Sequence, residues 1–163
     1  MPVLLLDTQA LFWALYAPQH LRPAAKGALE DPDNEIYATL VSAQEIAMKI
    51  ASGRWEDALD LLENFDARVT GAGFGLIVQE AADYSNVLHL PIVAGHRDPM
   101  DRLIIAQAMA RRMILVSADQ YAATYLGTDG VIDAGQAPRV SEPRRHIAAR
   151  AAFRNISIQS HRS

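Results

Sequence analysis

The sequence contains no cysteine, which excludes disulfides and thiolate zinc sites and agrees with a reducing compartment. No stretch approaches the ~18–20 uninterrupted apolar residues that a membrane-spanning helix needs. The apolar start, residues 1–17, has no basic residues ahead of it and is interrupted by Asp7, so it does not read as a signal peptide. There is no G-x-x-x-x-G-K-[ST] loop and no G-x-S-x-G turn, which leaves nucleoside-triphosphatase and serine-hydrolase chemistry without support. Internal repeats and low-complexity stretches are absent as well. The expectation is a soluble, cytoplasmic protein that makes no use of a membrane.

What is present suits one domain with a short appendage. Of 163 residues half are hydrophobic, enough for a core without outside staples. The net charge of −4 hides a division. Residues 1–137 hold 18 acids against 9 bases, a net of −9, and residues 138–163 hold six arginines against Glu142, a net of +5. We read 1–137 as the folded domain and 138–163 as a basic C-terminal tail, flexible or partly helical, either solvated or contacting phosphates. An acidic body does not grip nucleic acid by charge alone; it suits a protein that concentrates carboxylates for a metal.

Strands alternate with helices along the chain. The run Val3–Leu6 reads as a buried strand ending at Asp7, followed by a helix from Thr8 to Tyr16. Further helices are predicted over 23–29, 42–51, 55–65, 79–88, 98–112 and 119–126, and strands over 35–39, 76–78, 113–116 and 130–133. Ser42 and Glu45 match the capping-box spacing, with Gly53 placed to end that helix. Asp98 suits an N-cap, Pro99 the first helical position and Asp101 the first turn. The alternation argues for an α/β fold with a parallel sheet between two helical layers; the strand order is not readable from the pattern.

In such sheets ligands sit beyond the carboxyl ends of the strands. Asp7 and Asp119 fall there directly, and Glu45 and Asp101 lie in first turns of helices that start at that same edge. Each has a structural explanation. Asp7 can cap a helix, Glu45 can complete the capping box, and Asp101 and Asp119 can complement helix dipoles for about 0.3–1 kcal/mol each. Brought together, though, four carboxylates repel, and they shift their pKa values or recruit a cation. Oxygen ligands suit Mg²⁺ or Mn²⁺, and the chemistry that follows is hydrolysis of a phosphoryl group.

The motifs carry a more specific resemblance. Leu4-Leu-Leu-Asp-Thr8 with Ala10-Leu-Phe-Trp13, Ser42-Ala-Gln-Glu-Ile-Ala47 with Lys49, His96-Arg-Asp-Pro-Met-Asp-Arg-Leu-Ile-Ile-Ala-Gln-Ala108 and Val116-Ser-Ala-Asp119 resemble, in order and spacing, the four motifs of PIN-domain proteins. The likeness is to the VapC-type ribonuclease toxins of toxin–antitoxin pairs. It covers roughly residues 3–135, and the long third motif is its most specific part. It implies a three-layer α/β/α domain and a quartet of Asp7, Glu45, Asp101 and Asp119 that binds Mg²⁺ (or Mn²⁺) and cleaves RNA. It further implies a cognate antitoxin protein and a homodimer. Met100 stands where Phe is commoner and Gln44 where a larger apolar residue is usual, changes expected to touch packing near the site.

Asp7 and Asp101 are expected as direct ligands, with Asp119 completing the site and Glu45 ligating or deprotonating the attacking water. Thr8 and Ser117 are supporting candidates, as side chains that bond a site carboxylate or cap a helix. Asp98 reads as a cap in preference to a ligand. Arg102 reads as a phosphate contact or as half of a salt bridge. His96 reads as packing the loop before Asp98, with RNA contact as the alternative. Two rival functions stay open: a catalytically silent PIN-like module that binds RNA or protein, and a metal-dependent phosphatase acting on small esters.

Overall fold

Five short strands pair side by side, all parallel, in the order β3–β2–β1–β4–β5, in a computed structural model that describes residues 1–135. In chain order the elements are β1 (Val3–Leu6), α1 (Thr8–Tyr16), α2 (Pro23–Glu30), β2 (Glu35–Thr39), α3 (Leu40–Ala51), α4 (Leu59–Glu63) and α5 (Phe65–Gly71). There follow β3 (Gly75–Ile77), α6 (Ala81–Asn86), α7 (Pro99–Arg111), β4 (Ile114–Ser117), α8 (Ala122–Leu126) and β5 (Val131–Asp133). The basic tail read at 138–163, and the domain boundary drawn at 137, lie outside the described residues. Among the described residues no helix is long and apolar enough to cross a membrane.

Strand β1 explains the three layers. Its side chains alternate between faces: Leu4 and Leu6 enter one core with Leu11, Trp13, Leu61, Phe65 and Val69, while Leu5 enters the other with Leu103, Ile104, Ile105, Met113 and Leu115. A strand buried on both faces must be apolar throughout, as Val3–Leu6 is. Helices α1, α4 and α5 cover one face and α7 the other, which is the predicted α/β/α sandwich.

Several predicted elements change at their ends. The helix expected over 42–51 begins at Leu40, because β2 runs straight into it and the Thr39 hydroxyl caps it by accepting from Val41 N at 3.2 Å. The capping box of Ser42 with Glu45 therefore does not form. At the other end Gly53 (φ 69°) donates to Ile50 O and Arg54 to Lys49 O, both at 2.8 Å, a Schellman closure that needs the left-handed residue. The helix expected over 55–65 splits into a 3₁₀ turn at Glu56–Ala58, then α4, then α5. It breaks at Asn64, whose side-chain amide takes the carbonyl of Asp60 at 3.1 Å. The helix expected over 119–126 shortens to α8, because Asp119 accepts from Tyr121 N at 2.9 Å and holds the chain in a turn.

Helix α6 is pinned to α7 by a buried ion pair that Arg111's place near a helix C-terminus did not suggest. Asp83, 1% exposed, accepts from Arg111 Nη1 and Nη2 at 2.6 and 3.2 Å, from Gln107 Nε2 at 3.0 Å and from Glu80 N at 3.1 Å. Burial alone pushes the Asp83 carboxyl up; Arg111, Gln107 and the Glu80 amide outweigh it, and the pKa lies below the ordinary value. Removing one member of such a pair strands the other charge. Asp83→Ala is expected to lower unfolding stability by about 3 kcal/mol in urea titration at neutral pH, and a loss under about 1 kcal/mol would contradict this account.

Candidate metal centre

The strand order reverses between β1 and β4, since β2 and β3 extend the sheet on one side and β4 and β5 on the other. A crevice opens at the carboxyl end of such a switch point. Asp7 leaves β1 there, its amide bonded to Val116 O at 3.0 Å. Its carboxylate caps α1 by accepting from Ala10 N at 2.6 Å, and also accepts from Ser117 Oγ at 2.6 Å and Ala118 N at 2.8 Å. Both structural readings of these residues hold: Asp7 caps, and Ser117 bonds Asp7 while accepting from Asp119 N at 2.9 Å.

Helix α3 brings Glu45 to the same rim from the β2 side. Buried at 6% exposure, Glu45 accepts from Thr8 Oγ1 through one oxygen and pairs with Lys49 Nζ at 2.6 Å through the other. Thr8 also lies 3.1 Å from Ser42 Oγ. With its helix starting two residues early, Ser42 is a buried tether between α3 and α1. Gln44 is exposed, so its departure from the family pattern does not touch packing; Met100 does pack on the second core.

Helix α7 contributes Asp101 from its first turn. Asp98 caps it, accepting from Met100 N at 2.9 Å and Asp101 N at 3.3 Å. The loop before it folds His96 inward, 6% exposed, stacked on Tyr121 at 4.9 Å between ring centroids. His96 Nε2 lies 3.2 Å from Asp119 Oδ2 and 3.8 Å from Asp101 Oδ2. Arg102 turns away from the acids. It donates to Pro91 O at 3.3 Å and Tyr125 Oη at 3.0 Å and sits over the Tyr125 ring, with no ion pair to an acid among the described residues.

The four predicted acids thus gather at one edge of the sheet, at unequal distances from one another. Among the described residues the set whose ligand atoms all lie within 4.8 Å of one another is His96, Asp101 and Asp119. Asp7 and Glu45 stand farther out yet still act on Asp101 electrostatically. Burial first, then the charges of Asp98, Glu45, Asp119 and Asp7, push the Asp101 carboxyl up to about 8. Burial pushes Asp7 up to about 6 against the lowering bonds from Ser117, Ala10 and Ala118, with Glu45 adding to the rise. His96 is the residue that sequence reasoning placed as loop packing or an RNA contact, and not among the acids' partners. Its packing role is real, but its second nitrogen faces the acids, and its place two residues before a capping Asp was the only signal.

A divalent cation fits what these side chains leave unsatisfied. His96 Nε2 and Asp119 Oδ2 are both buried without a hydrogen-bond partner, a state that ordinarily costs about 1–3 kcal/mol each. Asp101 adds a carboxylate that holds its proton to unusually high pH, where a cation would favour the ionised form.

The family pattern described as PIN domain matches residues 4–125. Among solved structures, VapBC2 from Rickettsia felis, bound to a DNA fragment from their promoter, is similar over 83% of this chain and 99% of that chain, at 16% identity and a TM-score of 0.54. A toxin–antitoxin complex from Klebsiella pneumoniae is similar over 82% of this chain and 98% of that chain, at 20% identity and a TM-score of 0.45. No curated protein matches the chain significantly. The Rickettsia structure shares the fold.

The raised carboxyls fix a pH dependence. Asp101 and Asp7 keep protons in the folded state, up to about 8 and about 6, that the unfolded chain releases near 3.8. The folded state then binds more protons, and stability falls as pH rises through that window. In chelator, the melting temperature is expected to fall from about pH 5 to about pH 8, with a shallower fall for Asp101→Asn. Equal slopes for the two proteins would contradict the assignment.

Proposed function

The chain belongs to the PIN-domain family, and from that membership we propose that it is a metal-dependent endoribonuclease, the toxin of a type II toxin–antitoxin pair. The observation that carries this reading is the cluster in which the buried, unpartnered atoms of His96 and Asp119 lie close to the carboxylate of Asp101. Asp101 and Asp119 would hold Mg²⁺ or Mn²⁺, with Asp7 closing the set. The ion supplies polarisation of a phosphoryl oxygen and activation of water at neutral pH.

The remaining work falls to the chain's own groups. Asp7 is held immobile by Ser117, Ala118 and Ala10, so its position is set before substrate arrives. Glu45, oriented by Thr8 and Lys49, would accept a proton from the attacking water. Lys49 beside it offsets the charge that phosphate and carboxylates would otherwise accumulate. The reading includes an RNA substrate, a cytoplasmic homodimer and a cognate antitoxin. The acidic crevice complements a basic antitoxin side chain, which would compete with the metal and with RNA.

Purified protein incubated with pooled cellular RNA in Mg²⁺ or Mn²⁺ is expected to cut it. EDTA should abolish cutting, and Asp101→Asn should slow it roughly 100-fold or more, the scale at which misplaced reacting groups act. Cutting that survives both treatments would refute the metal mechanism. RNA binding without cutting, by folded protein free of antitoxin, would instead make this chain a binding module.

A further inference from the structure

We propose that His96 Nε2 is itself a ligand of the divalent cation, so that the site is a mixed imidazole and carboxylate set that prefers Mn²⁺ to Mg²⁺. The proposal rests on the metal-site reading above and adds to it a donor that the four acids do not include. Geometry argues for it first. Nε2 and Asp119 Oδ2 lie 3.2 Å apart and both are buried, yet neither has a hydrogen-bond partner. A pair that close yet outside hydrogen-bond geometry, an ion pair only if the ring is protonated, is poorly aligned. With Asp101 Oδ2 at 3.8 Å from Nε2, the three atoms surround a common point, and one cation there satisfies all of them.

The ring is aimed there by construction. Gly95 turns the loop at φ 85°, and a Cβ at that position would stand 3.0 Å from the Tyr121 hydroxyl, so the turn closes tightly over the ring that stacks on His96. The other ring nitrogen, Nδ1, lies 2.8 Å from Tyr125 Oη, which accepts from Arg102 Nη1 at 3.0 Å. Arg102 has only donors, so Tyr125 Oη accepts from it and can either donate its own O–H to Nδ1 or accept from Nδ1–H; ligation through Nε2 selects the second arrangement. A proton held on Nδ1 leaves Nε2 with the free lone pair that ligation needs, the outer-shell arrangement expected of a metal-binding histidine. Arg102 thereby acts on the site through Tyr125, which accounts for its turning away from the acids.

The donor chemistry then sets the preference. Mg²⁺ is hard and takes oxygen and water, whereas imidazole suits the first-row transition ions. Among the two ions considered for the reaction, a nitrogen donor favours Mn²⁺.

Electron spin-echo spectroscopy of Mn²⁺ bound to the full chain reads the ligand directly, since a coordinated imidazole modulates the echo at nitrogen frequencies. The wild-type chain is expected to show this modulation and His96→Gln to lose it. Competition titration should show a Mn²⁺ over Mg²⁺ preference that drops by at least about tenfold in His96→Gln, the loss that even an outer-shell partner causes. Should that variant fail to fold, a chain with His20, His89, His146 and His161 all changed to Gln must keep the modulation. Bound Mn²⁺ without nitrogen modulation in the wild type would overturn the assignment, make His96 a neighbour of Asp119 only, and leave the carboxylate site standing. Failure of Mn²⁺ to bind at all would remove this inference and the metal-site reading together.

Discussion

Parallel pairing of β1 with β4 sets Leu6 beside Val116, so that two segments 110 residues apart in the chain end side by side at one sheet edge. Asp7, Ser117 and Asp119 then follow from local chain direction alone. The pairing is driven by burial of Leu4, Leu5, Leu6, Leu115 and Val116, each at most 1% exposed, and not by any attraction among the polar groups it brings together. Apolar burial of this kind contributes about 1.5–3 kcal/mol per side chain. That gain offsets the cost of crowding like charges at the strand ends.

The acids at that edge are treated in two ways. Both oxygens of Asp7 and of Glu45 are engaged by donors from three different elements, which fixes their positions. Asp101 and the Oδ2 of Asp119 are left open, with His96 set against them. Elsewhere among the described residues the buried acid Asp83 is not left open: it receives a bidentate arginine, an amide and a backbone N–H. The contrast between Asp83 and Asp119 separates a stabilising carboxylate from one kept available for a ligand. The Asp83 cluster ties α6 to α7, the helix that carries Asp101, so the stability of the one supports the placement of the other.

Much of this was legible in the sequence because it depends on local pattern. The run Val3–Leu6 ending in Asp7 marks a strand buried on both faces, and Asp98-Pro99 marks a helix start with Asp101 in its first turn. The rule that helix starts and strand ends share an edge gathered the four acids. Details that depend on tertiary contact were not legible. Ser42 and Glu45 have capping-box spacing, but Thr39 took the cap because the strand before it leaves no loop. Glu45 instead takes Thr8 from the start of α1 and Lys49 from one turn on in its own helix. Sheet order and the Arg111–Asp83 pair likewise follow from packing between elements, whereas the break at Asn64 is a local competition of its side chain for the Asp60 carbonyl. His96 was underestimated because a histidine in a loop has no periodicity to show which way its ring turns.

The central claim is that the carboxyl edge of β1 and β4 holds a divalent cation between side chains that the sequence scatters. Crystals soaked in Mn²⁺ and measured for anomalous scattering test it most directly. The account predicts one strong peak in the crevice, in contact with Asp101 and Asp119 and within reach of Asp7. An empty crevice in crystals that bind Mn²⁺ at other surfaces, with His96 and Asp119 hydrogen-bonded to each other, would contradict it.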